Sequence, residues 1–191
     1  MPVSKRATTN WEDANRAFIL YQDYLTTKTD RFALSATDLM YISNFKGGNA
    51  SVSGTTSELT QKLEAYSIIL RKIDHEFGNR SLSSLSPVEI ESLIALCVES
   101  FTVLDANRIK GFSHSYLSAL LCAYFPALLP ILDRWIVANL GIPHKKDSQG
   151  QIKELQQHYP EVIRRFHRSL SQERGLSVRE LDKRLFIERP E

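Results

Sequence analysis

The sequence predicts an all-α fold on three observations. Apolar residues recur at three- and four-residue steps in stretch after stretch, helix-starting boxes of the S/T-x-x-E kind precede some of them, and no run alternates with period two long enough for a strand. The chain has 191 residues, of which 42% are hydrophobic and 24% charged. That is enough apolar matter to bury a core and excludes disorder as the main state, so residues 11–191 are expected to form a single domain. There is no internal repeat.

Residues 1–10 read as a flexible polar tail. Helical periodicity begins at Trp11 and continues through Ala14, Ala17, Phe18, Tyr21 and Leu25. Thr26 to Asp30 interrupts it. A second helix, capped at Ser35 or Thr37, is expected to carry Leu39, Met40, Ile42 and Ser43 toward a core. Phe45 to Ser57, with Gly47, Gly48, Asn49 and Gly54, is a loop. From Ser57 an apolar stripe of Leu59, Leu63, Tyr66, Ile69, Leu70 and Ile73 predicts a long helix that ends near Phe77, with Gly78 as a left-handed C-cap. Ser86-Pro87-Val88-Glu89 opens the next helix, through Ile90, Leu93, Ile94, Cys97 and Phe101.

The last third begins with a short turn, Ile109 to Ser115, that leads into an apolar helix through Tyr116, Leu117, Leu120, Leu121 and Tyr124. Pro126 and Pro130 stop it. Asp133 precedes a short helix with a glycine exit at Gly141, and a long basic amphipathic helix is expected over Gln151 to Leu170, bent or restarted at Pro160. Ser177 to Asp182 is a final box-like helix start.

Charge and cysteine usage narrow the chemistry. Residues 1–133 carry 12 basic and 14 acidic side chains, whereas 134–191 carry 12 and 8, an asymmetry that points to an anionic partner. Cys97 and Cys122 sit in apolar helical patterns, without C-x-x-C spacing, so they read as buried small hydrophobes and no metal or iron–sulfur site is expected. The longest apolar candidate for a membrane span, Tyr116 to Leu132, contains two prolines, and no apolar run follows the basic pair Lys5-Arg6. A cytoplasmic protein without membrane contact is the expectation. Trp11, Phe18, Tyr21 and Tyr24 share helical spacing and read as core or as a homodimer contact through the N-terminal aromatic helix.

Ile109-Lys110-Gly111-Phe112-Ser113-His114-Ser115, then Pro130-Ile131-Leu132-Asp133, then Ala138-Asn139-Leu140-Gly141 form an ordered set. It resembles the helix-hairpin-helix DNA glycosylase superfamily of endonuclease III and the adenine and 8-oxoguanine DNA glycosylases. Asp38 to Ser51 and Ile152 to Gly175 resemble the early helix and loop and the closing helices of that fold. The resemblance implies a DNA-binding protein, with Asp133 as electrostatic catalyst of base release from a flipped nucleotide and no cofactor. It also implies that Lys110, Gly111, Phe112, Ser113, His114 and Ser115 grip a phosphate through the turn and the following helix N-terminus. Ser113 departs from the family's second hairpin glycine, and Lys110 from its proline. Ser115 stands where bifunctional members carry the Schiff-base lysine, so the implied chemistry is monofunctional.

Further DNA contacts are expected from Arg134, Arg164, Arg165 and Arg168, and a base pocket from Asn44, Lys46, Asn49 and Trp135. Each has a plainer reading. Asp133 can be an N-cap, the arginines a solvated face, and the Lys46 to Asn49 loop a connection. Phe112 can staple the turn to the core or wedge beside a base. The alternative function is a catalytically inactive helical module that binds nucleic acid or protein, and a third is a regulatory helical bundle that dimerises.

Overall fold

The computed structural model describes residues 5–46 and 53–188. Among them the protein is helical and has no named strand: α1 Lys5–Thr27, α2 Ala36–Phe45, α3 Thr56–Phe77, α4 Pro87–Ala106, α5 His114–Tyr124, α6 Arg134–Asn139, α7 Tyr159–Gln172 and α8 Val178–Ile187. Single turns of 3-10 helix at Leu82–Ser84 and Leu155–His158 precede α4 and α7. No helix among the described residues is long and apolar enough to cross a membrane.

The local signals explain the helix starts. Thr55, Ser86 and Ser177 each accept a hydrogen bond from the backbone N–H three residues on, and Glu58, Glu89 and Glu180 in turn accept one from the cap residue's own N–H. Such reciprocal caps satisfy donors that the helix itself leaves orphaned. At α2 the cap is Ser35, whose N–H and hydroxyl both donate to Asp38.

Helix α5 occupies the centre. Every residue from Leu117 to Tyr124 is buried, because its sequence is apolar around almost the whole circumference, and it packs against α1, α2 and α4. α3 pairs with α4, α1 with α2, and α8 closes against α1 and α6. A buried polar cluster ties α1 to α2: Tyr21 and Lys28 donate to Asp38, at 2.9 Å each to Oδ1, and Lys28 reaches Oδ2 at 3.0 Å.

Several expectations change. α1 begins at Lys5, so residues 5–10 are helical and only residues 1–4 of the expected tail lie outside the described residues. Leu39 and Ile42 are buried as expected, but Met40 is 72% exposed, and Asp38, beside the Lys28 ammonium, and Phe45 face inward in addition. Gly78 is right-handed, at φ −50°, and not a left-handed cap. Glycine fits there because a Cβ would come within 2.4 Å of the Asp74 carboxylate. Gln151 to Glu154 is not helical. Lys146 and Ile152 pair as an antiparallel bridge around a turn held by Asp147, and the helix starts at Tyr159, with Pro160 in its first turn. The aromatic face of α1 is spent inside the chain: Trp11, Phe18 and Tyr21 are buried, and Tyr24 stacks on Tyr41 with ring centroids 4.8 Å apart.

Candidate functional site

The segment Pro130 to Asp133 is set in place by hydrogen bonds to its backbone. The Tyr159 hydroxyl donates to the Pro130 carbonyl at 2.7 Å, and Ser118 Oγ accepts from the Leu132 N–H at 2.8 Å. Ser115 Oγ donates to the Leu132 carbonyl, also at 2.8 Å. Two serines one turn apart on α5 therefore clamp the residue before Asp133 at both its backbone groups, which leaves Asp133 at a defined place at the start of α6. Its Oδ1 accepts from the Trp135 N–H at 2.9 Å, so it is the N-cap. Its Oδ2 lies 3.5 Å from Lys46 Nζ, with the two side chains 22% and 14% exposed.

Asp133 opens onto a cavity of about 770 Å³. The walls come from α1, α2, α6 and α8: Trp11 and Phe186, with ring centroids 5.7 Å apart, Phe45, Asn44, Lys46 and Asp182. A volume of this order with aromatic walls and a few convergent polar groups is the usual form of a small-ligand site. Three residues expected from sequence thus meet here: Asp133, Asn44 and Lys46. Asn49 lies outside the described residues.

Behind the cavity sits an ion pair. Arg179 donates to Asp182 Oδ2 at 2.9 Å and to Asn15 at 3.2 Å, and its guanidinium lies over the rings of Trp11 and Phe18, 4.5 and 4.4 Å from their centroids. Asp182 is wholly buried and its Oδ1 has no hydrogen-bond partner among the described residues. Burial pushes its pKa up to about 6; Arg179 and Lys46 oppose the rise and Asp133 adds to it.

Trp11, Phe186, Arg179 and Asp182 were not expected as site residues. For Asp182 a signal was present: Val178, Leu181, Asp182 and Leu185 fall at i, i+3, i+4 and i+7, so a carboxylate interrupts the apolar stripe of α8.

In the turn before α5, Gly111 is left-handed at φ +83°, and Ser113, which stands where the family carries a second glycine, is extended at the N-cap position without a side-chain cap bond. Lys110 is exposed. Phe112 is 3% exposed and packs against Tyr66 and Tyr116, so it staples the turn to the core and cannot reach DNA. Ser115 is likewise turned inward, onto Leu132. His114 Nε2 lies 3.1 Å from the Asp105 carboxylate, with its ring edge-on to Phe101.

The basic residues divide. Arg164 makes a two-pronged pair with Glu91, at 2.8 and 2.7 Å, and Arg165 binds Glu161 and the Leu140 carbonyl. Both are thus engaged inside the chain and are not free phosphate contacts. Arg168 is exposed, in a groove with Arg164 and His167 between α4 and α7 that is separate from the Asp133 cavity. Arg134 is exposed, stacks over Trp135 and donates to Gln151 at 2.9 Å. Trp135 is half-buried and does not line the cavity, because the helix start turns it to Arg134.

No family model, no curated protein and no solved structure matches this chain at a significant level.

Proposed function

We propose that the protein binds DNA and that the Asp133 cavity receives an extruded nucleotide, whose base is released by hydrolysis of its glycosidic bond. The observation that carries this reading is the placement of a capped carboxylate at the edge of an aromatic-walled cavity of about 770 Å³. As the base departs with the bonding electrons, positive charge grows on the sugar; the Asp133 anion stabilises it and orients the attacking water. Oδ1 is held by the Trp135 N–H, and Oδ2, paired with Lys46 at 3.5 Å, is the oxygen that faces the reacting carbon once the ammonium moves aside. Trp11 and Phe186 supply faces for stacking.

DNA is held in this reading by the first-turn amides of α5, which precede the first intrahelical bond from Leu117 N–H to Ser113, and by Lys110 and Arg134. Single-turnover release of base from damaged or modified oligonucleotides tests the proposal. Wild type releases base, and folded Asp133→Asn loses it by at least about a hundredfold, the order expected for removing one electrostatic stabiliser. Activity preserved in that variant refutes the assignment of Asp133.

A second reading, a DNA-binding module without catalysis, is favoured by one observation: the Lys46 ammonium already partners the carboxylate. Salt-dependent DNA binding with no base release by wild type decides for it.

A further inference from the structure

Among the described residues two aspartates are fully buried, and they are treated differently. Asp38 Oδ1 accepts from Tyr21 and Lys28, and its Oδ2 accepts from Lys28 and from the N–H and hydroxyl of Ser35. That carboxylate is satisfied on every side and is structural. Asp182 Oδ2 is satisfied by Arg179, but Oδ1, equally buried, accepts nothing, and the residue forms part of the cavity wall. A buried acceptor without a partner, on a residue that lines a cavity, is a polar contact that a ligand reaching it can complete.

We infer that Asp182 is the group that reads the ligand: its open oxygen accepts a hydrogen bond from an N–H edge of a planar nitrogen heterocycle stacked in the cavity. The inference rests on the base-pocket reading above and deepens it, since it states which bases the pocket takes. Bases with an exocyclic amine are selected over purines that present only acceptors. Asp133 is the poorer reader, because Trp135 and Lys46 occupy its oxygens. Arg179 makes Asp182 a rigid one: the guanidinium is pinned by Asn15 and two aromatic rings, and it fixes the carboxylate it binds.

The charged and titratable groups that act on Asp182 are Arg179 on its own helix, Lys46 after α2, Asp133 before α6, Cys122 on α5 and Tyr159 on α7. Protonation turns the open oxygen into a donor or removes its charge, so the selectivity weakens as pH falls through about 6.

The test is equilibrium binding of deoxyadenosine, deoxyguanosine and deoxycytidine against purine deoxyribonucleoside, which lacks the amine. It is read by quenching of Trp11 fluorescence, with Trp11→Phe as control. In wild type at neutral pH, at least one amino-bearing nucleoside binds roughly tenfold to hundredfold tighter than purine deoxyribonucleoside. Asp182→Asn removes that preference: Arg179 holds the amide carbonyl, so the NH2 faces the cavity as a donor. Should Asp182→Asn not fold, the wild-type preference measured across pH decides, falling as pH drops through about 6. A preference unchanged by both the variant and pH overturns the inference while leaving the base-pocket reading intact. Failure of every nucleoside to bind also overturns it. The base-pocket reading is judged separately, by base release from oligonucleotides.

Discussion

Asp133 caps α6 and borders the cavity with the same carboxylate, and substitution separates the cap from the role proposed for it. Asparagine caps a helix about as well as aspartate, so Asp133→Asn should leave stability nearly unchanged while removing the charge, whereas Asp133→Ala should cost about 1 kcal/mol as well. Urea unfolding of the two variants beside their base-release rates checks this. A large stability loss in the asparagine variant would mean that the Lys46 pair, not the cap, secures the segment. Asp182 contributes in the opposite pH direction from a surface carboxylate. Its pKa rises from 3.8 in the unfolded chain to about 6 in the folded one, so the stability it supplies is complete below 3.8 and is lost as pH climbs through about 6. The full span is about 3 kcal/mol as an upper bound. Glu89, held down to about 2 first by the Ser86 N–H and then by Arg80, works the other way: its contribution is complete above its ordinary 4.5 and is lost as pH falls toward 2. Unfolding free energies of Asp182→Asn across pH should therefore lack the decline that wild type shows between pH 3.8 and about 6. Asp133 could be placed from the sequence because a cap residue after Pro130 has a local signature. Asp182 could not be assigned a role: Arg179 is a local partner three residues before it, but Lys46 and Asp133 converge on it only through tertiary packing.

Element starts were readable where side chain and backbone satisfy each other within four residues, as at Ser86 and Ser177, and unreadable where a distant contact decides. Gly78 is the C-cap of α3 as its position suggests, yet it is right-handed and not left-handed, and a Cβ there would meet the Asp74 carboxylate. The basic face of α7 looks like a DNA stripe from spacing, yet Glu91 on α4 captures Arg164. In the turn before α5, Gly111 takes a positive φ, while Phe112, beside it, belongs to the core. Phe112→Ala should then cost about 3–5 kcal/mol, the penalty for emptying a buried aromatic site. Lys110→Ala, one turn residue away and exposed, should leave stability within about 0.5 kcal/mol. Chemical denaturation of both distinguishes a stapled turn from a free one, because a DNA-facing Phe112 would tolerate truncation as easily as Lys110 does.

At the scale of the whole molecule, net charge explains little and its placement explains more. The basic excess of residues 134–191 does not sit uniformly on one helix. α7 spends Arg164 and Arg165 on internal partners, whereas Arg134, Lys145, Lys146 and Lys153 are exposed, and the Arg134 bond to Gln151 ties the Lys146 turn to the start of α6, where Asp133 stands. If the proposed DNA binding uses that turn, each phosphate neutralised there releases condensed counterions. The slope of log affinity against log salt then counts the contacts, at about 0.9 per phosphate for duplex DNA. Lys146→Ala should lower the slope by about one, and Arg134→Ala should do the same while also freeing Trp135 and Gln151. Arg164→Ala should leave the slope unchanged, because its charge is already matched by Glu91. The reverse pattern, a slope that responds to Arg164 and ignores Lys146, would put the nucleic acid on the α4–α7 groove and away from the carboxylates, and would leave the Asp133 cavity without a route for its nucleotide.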